Sequence, residues 1–133
     1  MPASLDTNVL LRFAMKDVPD HYDRARALLG RQGASFAVAD AVWIELAFAL
    51  DRHYQLDRPA IVDVITTLVS IDNLEANSSL IEAACASFAV HPKLSFADCY
   101  LAAKAADCQR VPLYTFDEKL AHQHLAAELV PLH

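Results

Sequence analysis

Apolar positions along the chain fall into short runs and longer helical stripes, and their order predicts strands interleaved with helices. Ala3 to Asp6 reads as a short buried strand, followed by a helix from about Asn8. Tyr22, Ala25, Leu28 and Leu29 form one stripe of a helix over Asp20 to Gly30, with Asp20 as its expected N-cap. Gly30 and Gly33 punctuate, Ser35 to Ala39 is strand-like, and Asp40 is expected to cap a helix ending near His53. Asp57 and Pro59 start a helix to about Ile71, and a short strand near Leu74 precedes a helix over Ser78 to Val90. Ser95 caps a helix to about Asp107; Val111 to Phe116 is a strand, Glu118 to Leu125 a short helix, and Glu128 to Leu132 a last strand. Strands alternating with helices imply an α/β fold whose parallel sheet is covered by helices on both faces. Neither a repeat nor a linker interrupts the pattern, so residues 1–133 are expected to form a single domain.

Four acids break the pattern. Glu45 sits in Ala41-Val42-Trp43-Ile44-Glu45-Leu46-Ala47-Phe48-Ala49-Leu50, where every other side chain is apolar. At helical spacing its neighbours are Ala41, Val42, Phe48 and Ala49, so its own stripe is greasy and the carboxylate is expected to be kept from bulk water. Burying an unpaired carboxylate costs several kcal/mol, and no Lys or Arg lies within the run, so a partner from elsewhere or a metal ion is expected. Asp6 lies between Ala3-Ser4-Leu5 and Val9-Leu10-Leu11, Asp98 within Phe96-Ala97-Asp98-Cys99-Tyr100, and Asp117 closes Leu113-Tyr114-Thr115-Phe116. Asp6 and Asp117 fall at the C-terminal ends of strands, where open α/β sheets place their ligand crevice. Asp98 shares a stripe with Leu101, Ala102 and Ala105 and is expected to face inward. Structural readings stand beside the functional one: Asp6 and Asp117 each precede a helix and suit an N-cap, and Ser95-Phe96-Ala97-Asp98 resembles a capping box.

Composition narrows the setting. The chain is 55% hydrophobic, yet no apolar stretch approaches the roughly 20 residues that span a bilayer, so no membrane association is expected. The start of the sequence lacks the pattern of a secretory signal, and a cytoplasmic location is expected. Cys85, Cys99 and Cys108 are odd in number and lack CxxC spacing, which favours free buried thiols. A formal charge of −6 opposes phosphate binding, but setting the four unusual acids aside leaves −2, with Arg12, Lys16, Arg24, Arg26 and Arg31 concentrated in the first quarter. Those arginines read equally as a local basic surface or as a solvated helix face.

Converging carboxylates about 5 Å apart would repel by roughly 3 kcal/mol per pair at an effective dielectric of 20, so the quartet calls for a cation. Oxygen ligands without His or Cys select hard ions, Mg²⁺ or Mn²⁺. Such ions activate water and stabilise a leaving oxygen, which suits phosphodiester hydrolysis.

The segments Asp6-Thr7-Asn8-Val9-Leu10-Leu11-Arg12, Trp43-Ile44-Glu45-Leu46, Phe96-Ala97-Asp98-Cys99-Tyr100-Leu101-Ala102 and Leu113-Tyr114-Thr115-Phe116-Asp117 resemble, in order, the four blocks of the PIN domain. They are most similar to those of the VapC-type toxins of bacterial toxin–antitoxin pairs. The resemblance implies a four- or five-stranded parallel sheet between helices and a metal-dependent endoribonuclease that cleaves RNA with activated water. It assigns Asp6, Glu45, Asp98 and Asp117 as metal-binding catalytic acids, with Thr7, Asn8 and Thr115 as supporting polar residues and Arg12 as a candidate for substrate binding. It also implies a homodimer inhibited by a cognate antitoxin protein. Competing readings are a PIN nuclease that processes RNA without an antitoxin and a non-catalytic interaction module. An aspartyl phosphatase using Asp6 is a further rival, but its usual pattern wants a second Asp where this chain has Asn8.

Overall fold

The strand–helix alternation read from the sequence runs from end to end of the computed structural model, which describes residues 2–132. These residues fall into two compact units, one up to Ser78 and the other from Ser79 onward. The first contains β1 (Ala3–Ser4), α1 (Thr7–Met15), α2 (Pro19–Leu29), β2 (Phe36–Ala37), α3 (Asp40–Arg52), α4 (Arg58–Val69) and β3 (Leu74–Glu75). The second is formed by α5 (Ser78–Val90), α6 (Phe96–Asp107), β4 (Leu113–Thr115), α7 (Glu118–Gln123) and β5 (Ala127–Leu129).

Every strand pair is parallel, as expected of strands joined through helices. In the first unit the order is β1-β2-β3, with Ala3 opposite Phe36 and Phe36 opposite Leu74. In the second, β4 pairs with β5, Tyr114 lying opposite Glu128. The five expected strands are thus present, but their hydrogen bonds group them as three and two rather than in one continuous ladder. Strands of two or three residues offer few backbone groups, so each ladder is short. Leu5 and Val38 extend the first by donating their N–H groups to Ala37 and Glu75.

Two helix starts differ from the sequence reading. Asp20 does not cap α2: the N-cap is Val18, without a side-chain bond, and Pro19 opens the helix. Proline has its φ preset and no N–H to leave unpaired, so it starts the helix ahead of the acid. Asp40 is the first residue of α3 and Ala39 its N-cap; its carboxylate lies in the first turn, where the helix dipole favours negative charge. Asp57 and Ser95 cap as expected, accepting from the N–H groups of Ala60 and Asp98.

The core of the first unit gathers Leu10 and Leu11 from α1, Trp43, Leu46 and Leu50 from α3, and Ile61, Ile65 and Leu68 from α4, all buried. Helix α1 packs on α2, α3 and α4 and so forms the hub. From the last turn of α1, Arg12 Nη1 donates to Asp17 Oδ2 (2.9 Å) and to the Tyr54 hydroxyl (3.0 Å), and that hydroxyl donates to Asp17 (2.7 Å). The Tyr54 bond, with help from Arg12, holds the Asp17 carboxyl below its ordinary range; burial first, then Asp17, raises Tyr54. In the second unit Phe88 meets Phe96 edge-on, and Phe96 lies against Tyr100. Burial pushes the Cys85 thiol up to about 11, which leaves it inert at neutral pH. Cys85 and Cys99 are the buried free thiols expected, whereas Cys108 is exposed because α6 has ended there.

His124 follows α7, and its Nδ1 accepts from the Ala126 N–H at 3.1 Å, which requires the neutral ring. Burial, then His91, lowers its pKa below the ordinary histidine value. A group with a depressed folded pKa stabilises the fold above its unfolded value of about 6.5, and that stability is lost as pH falls from there through the folded value. Thermal melts from about pH 8 to 5 are therefore expected to show a loss that His124→Asn reduces, since its amide oxygen preserves an acceptor and does not titrate. An identical pH dependence in the two proteins would remove His124 as the source.

Candidate active site

Asp6 stands two residues beyond β1 and is the N-cap of α1, its Oδ1 accepting from the Thr7 N–H at 2.6 Å. Thr7 is buried, and its hydroxyl donates to Glu45 Oε2 at 2.7 Å. One residue thus spends its backbone donor on Asp6 and its side-chain donor on Glu45, which seats two acids 39 positions apart at one place. Each carboxylate keeps a second oxygen, Asp6 Oδ2 and Glu45 Oε1, to which no donor is assigned among the described residues.

Glu45 itself is exposed, contrary to the expectation that its greasy stripe would keep it from water. Helix α3 buries Val42, Trp43, Leu46, Ala47 and Leu50, while Ala41 and Phe48 of the Glu45 stripe lie on the outer side, Phe48 with 57% of its surface accessible. The helix is apolar on both sides, so the composition of the stripe does not reveal which side faces the core. Its partner comes from elsewhere in the fold, as expected: it is the Thr7 hydroxyl, and among the described residues no Lys or Arg pairs with this acid. One turn further on, the Arg52 guanidinium stands 5.2 Å from the Phe48 ring centroid.

The second unit presents the other two acids at helix starts. Asp117 lies two residues past β4 and caps α7, accepting from the N–H groups of Lys119 (2.9 Å) and Leu120 (3.3 Å). Thr115 supports it, its Oγ1 accepting from the Asp117 N–H at 2.9 Å. Asp98 is half-buried in the first turn of α6, less inward than expected, with Leu101 of its stripe 51% exposed. Its N–H donates to Ser95 Oγ at 3.1 Å. A capping box would return a bond from the Asp98 carboxylate to the Ser95 N–H. Among the described residues that bond is absent, so the carboxylate is not used as a cap. Asn8 is exposed at the start of α1, and Arg12 is committed in part to Asp17.

Among the described residues, no three His, Cys, Asp or Glu side chains stand close enough to make a metal cage by themselves. The donor chemistry at Thr7 nonetheless fits a hard divalent cation, because the open positions of Asp6 and Glu45 are carboxylate oxygens without a soft ligand beside them. The PIN domain family matches residues 3–124, a span that includes all four acids. The chain belongs to that family. PIN domains are generally nucleases that use divalent metals, so the chain carries a nuclease fold. No curated protein matches it closely enough to serve as a relative.

The caps expected of Asp6 and Asp117 are therefore present, and in a PIN domain they are compatible with a second use of the same carboxylates. Asp117 separates the two uses, since Asn caps a helix about as well as Asp but brings no charge. Asp117→Asn is expected to melt close to wild type while losing nuclease activity by at least tenfold, and Asp117→Ala to lose about 1 kcal/mol of stability as well. Denaturation and cleavage assays on both variants check this; full activity in Asp117→Asn would confine the residue to capping.

Proposed function

We propose that this PIN domain is a metal-dependent endoribonuclease, using Mg²⁺ or Mn²⁺, and that it serves as the toxin of a toxin–antitoxin pair. The observation that carries the reading is the shared seat of Asp6 and Glu45 on Thr7 in a chain of this family. Asp6, Glu45, Asp98 and Asp117 are the proposed metal-binding acids. When bound, a divalent ion supplies stabilisation of charge at a phosphate and eases deprotonation of water. The chain's own part is orientation. Thr7 fixes one oxygen of Glu45 and one of Asp6, leaving the other of each free, and Thr115 and the first turn of α7 fix Asp117. Fixed ligands lose little freedom on binding, which is why a supporting residue such as Thr7 affects affinity without touching the metal. The toxin role, a homodimeric assembly and a cognate antitoxin rest on the similarity of the four acid-bearing segments to VapC-type toxins.

Incubation with single-stranded RNA and millimolar Mn²⁺ is expected to yield fragments with 5′ phosphate and 3′ hydroxyl ends, and EDTA to abolish cleavage. Activity surviving EDTA, or cyclic phosphate ends from attack by the RNA 2′ hydroxyl, would contradict the metal–water reading.

Expression in the absence of a partner is expected to arrest growth, and Asp6→Asn or Asp98→Asn to relieve the arrest. If wild-type protein shown to cut RNA in vitro leaves growth unaffected, the toxin role fails and the nuclease role stands. An antitoxin gene beside this one favours the toxin reading over a PIN nuclease that processes RNA alone.

A further inference from the structure

Between α1 and α2 lies an open groove of about 580 Å³, all of it within the first unit. Its floor is apolar, with Val9 and Leu28 among the contributors, and its charged lining is entirely basic: Arg12, Arg24 and Arg31, with His21 beside them. On α2 the sequence places His21, Arg24 and Leu28 at helical spacing, and Arg31 follows the helix by two residues. At about 1.5 Å of rise per helical residue, the row from His21 to Arg31 runs roughly 15 Å. Arg26, two positions from Arg24, belongs to another face of the helix and does not line the groove.

The charges are available to a ligand. Arg24 pairs with Asp20 at 3.5 Å, but both side chains are about three-quarters exposed, a pairing that solvent weakens to almost nothing. Among the described residues no ion pair engages Arg31. Arg12 keeps donors beyond the one nitrogen shared by Asp17 and Tyr54. Asn8, two residues from Asp6 on the same helix start, is among the lining residues, so the groove adjoins the start of α1 where Asp6 and Glu45 are seated.

We propose that this groove holds the phosphate backbone of a single-stranded RNA substrate on one side of the cleavage site. The proposal rests on the ribonuclease reading above. A row of guanidinium groups over an apolar floor matches a chain that carries an anion at every repeat and a flat base between anions. Arg24 and Arg31 act as substrate-positioning residues and take no part in bond breaking. Their role explains how a chain of charge −6 holds a polyanion: the attraction is local to one face.

Titration of a labelled oligonucleotide of about twelve nucleotides, in EDTA and at several salt concentrations, tests this directly. Each phosphate neutralised on a single strand contributes about 0.7 to the slope of log K against log salt, so Arg24→Gln/Arg31→Gln is expected to flatten the slope by about 1.4 and to weaken binding about tenfold near physiological salt. Arg26→Gln is expected to change neither. With Mn²⁺, the double variant is expected to raise KM for the long strand about tenfold at unchanged kcat, and to cleave a dinucleotide as wild type does. A slope and KM equal to those of wild type overturn the proposal while leaving the nuclease reading intact, as does equal loss on the dinucleotide. Wild type that binds RNA through these arginines but cuts nothing has the opposite meaning: the groove stands and the nuclease reading falls. Polyglutamate binding that depends on Arg24 and Arg31, with no RNA binding, overturns the proposal in favour of an acidic protein partner.

Discussion

The hydrogen bond from the Thr7 hydroxyl to Glu45, 2.7 Å long and partly buried, is the constraint on which the candidate site depends. A bond to a charged acceptor contributes about 1.5–3 kcal/mol net, more than the neutral bonds that close the neighbouring helix turns. Its position matters more than its strength. Thr7 is the first residue of α1, fixed there by the Asp6 cap, while Glu45 lies in the middle of α3. The bond therefore sets the register of one helix start against the flank of another. Valine would fill the same space without the donor, so the side chain has to be a threonine for a polar reason and a branched one for packing.

That register would be loose if α3 were free to roll, and its buried stripe prevents this. Trp43 is 1% exposed and Leu46 and Leu50 are fully buried, so rolling the helix to move Glu45 would drag the largest side chains of the unit out of the core. The fit has a cost, since the Trp43 Nε1–H is buried without a hydrogen-bond partner among the described residues, a loss of roughly 1–3 kcal/mol. Full burial of an indole offsets it, because aromatic rings bring the most apolar area per residue into a core. A rigid α3 leaves an acid and an exposed aromatic, Phe48, in fixed places on its outer side.

How much of this was legible in the sequence differs from feature to feature, for physical reasons. Local signals read well: α5 begins and ends where its pattern does, and Asp57 and Ser95 are recognisable caps because their bonds are made within three residues. Asp20 and Asp40 stand in the first turn rather than at the cap, and an acid before an apolar stripe suits both places, so only backbone angles separate the two. The order of the acids was plain, and the direction of Glu45 was not. Its helix has apolar residues on both flanks, and which flank is buried is decided by packing against other helices, α1 and α4, rather than by the helix's own pattern. The Thr7–Glu45 bond has no local signature at all, as it joins positions 38 apart.

The basic groove shows the same limit from the side of charge. Net charge sums over the chain, whereas a ligand responds to the field within about a Debye length, roughly 8 Å at physiological ionic strength. Along the chain Asp20 and Asp23 precede Arg24, Arg26 and Arg31, and a linear reading leaves a local basic surface and a solvated helix face equally open. The fold separates the two, because Arg24 and Arg31 line the groove and neither acid does. Flanked by the two carboxylates seated on Thr7, such a face makes opposite demands on a polyanion: attraction along the row and repulsion at the acids. A divalent cation at the acids would reverse the second sign, so metal and substrate affinity are expected to reinforce each other through electrostatics alone.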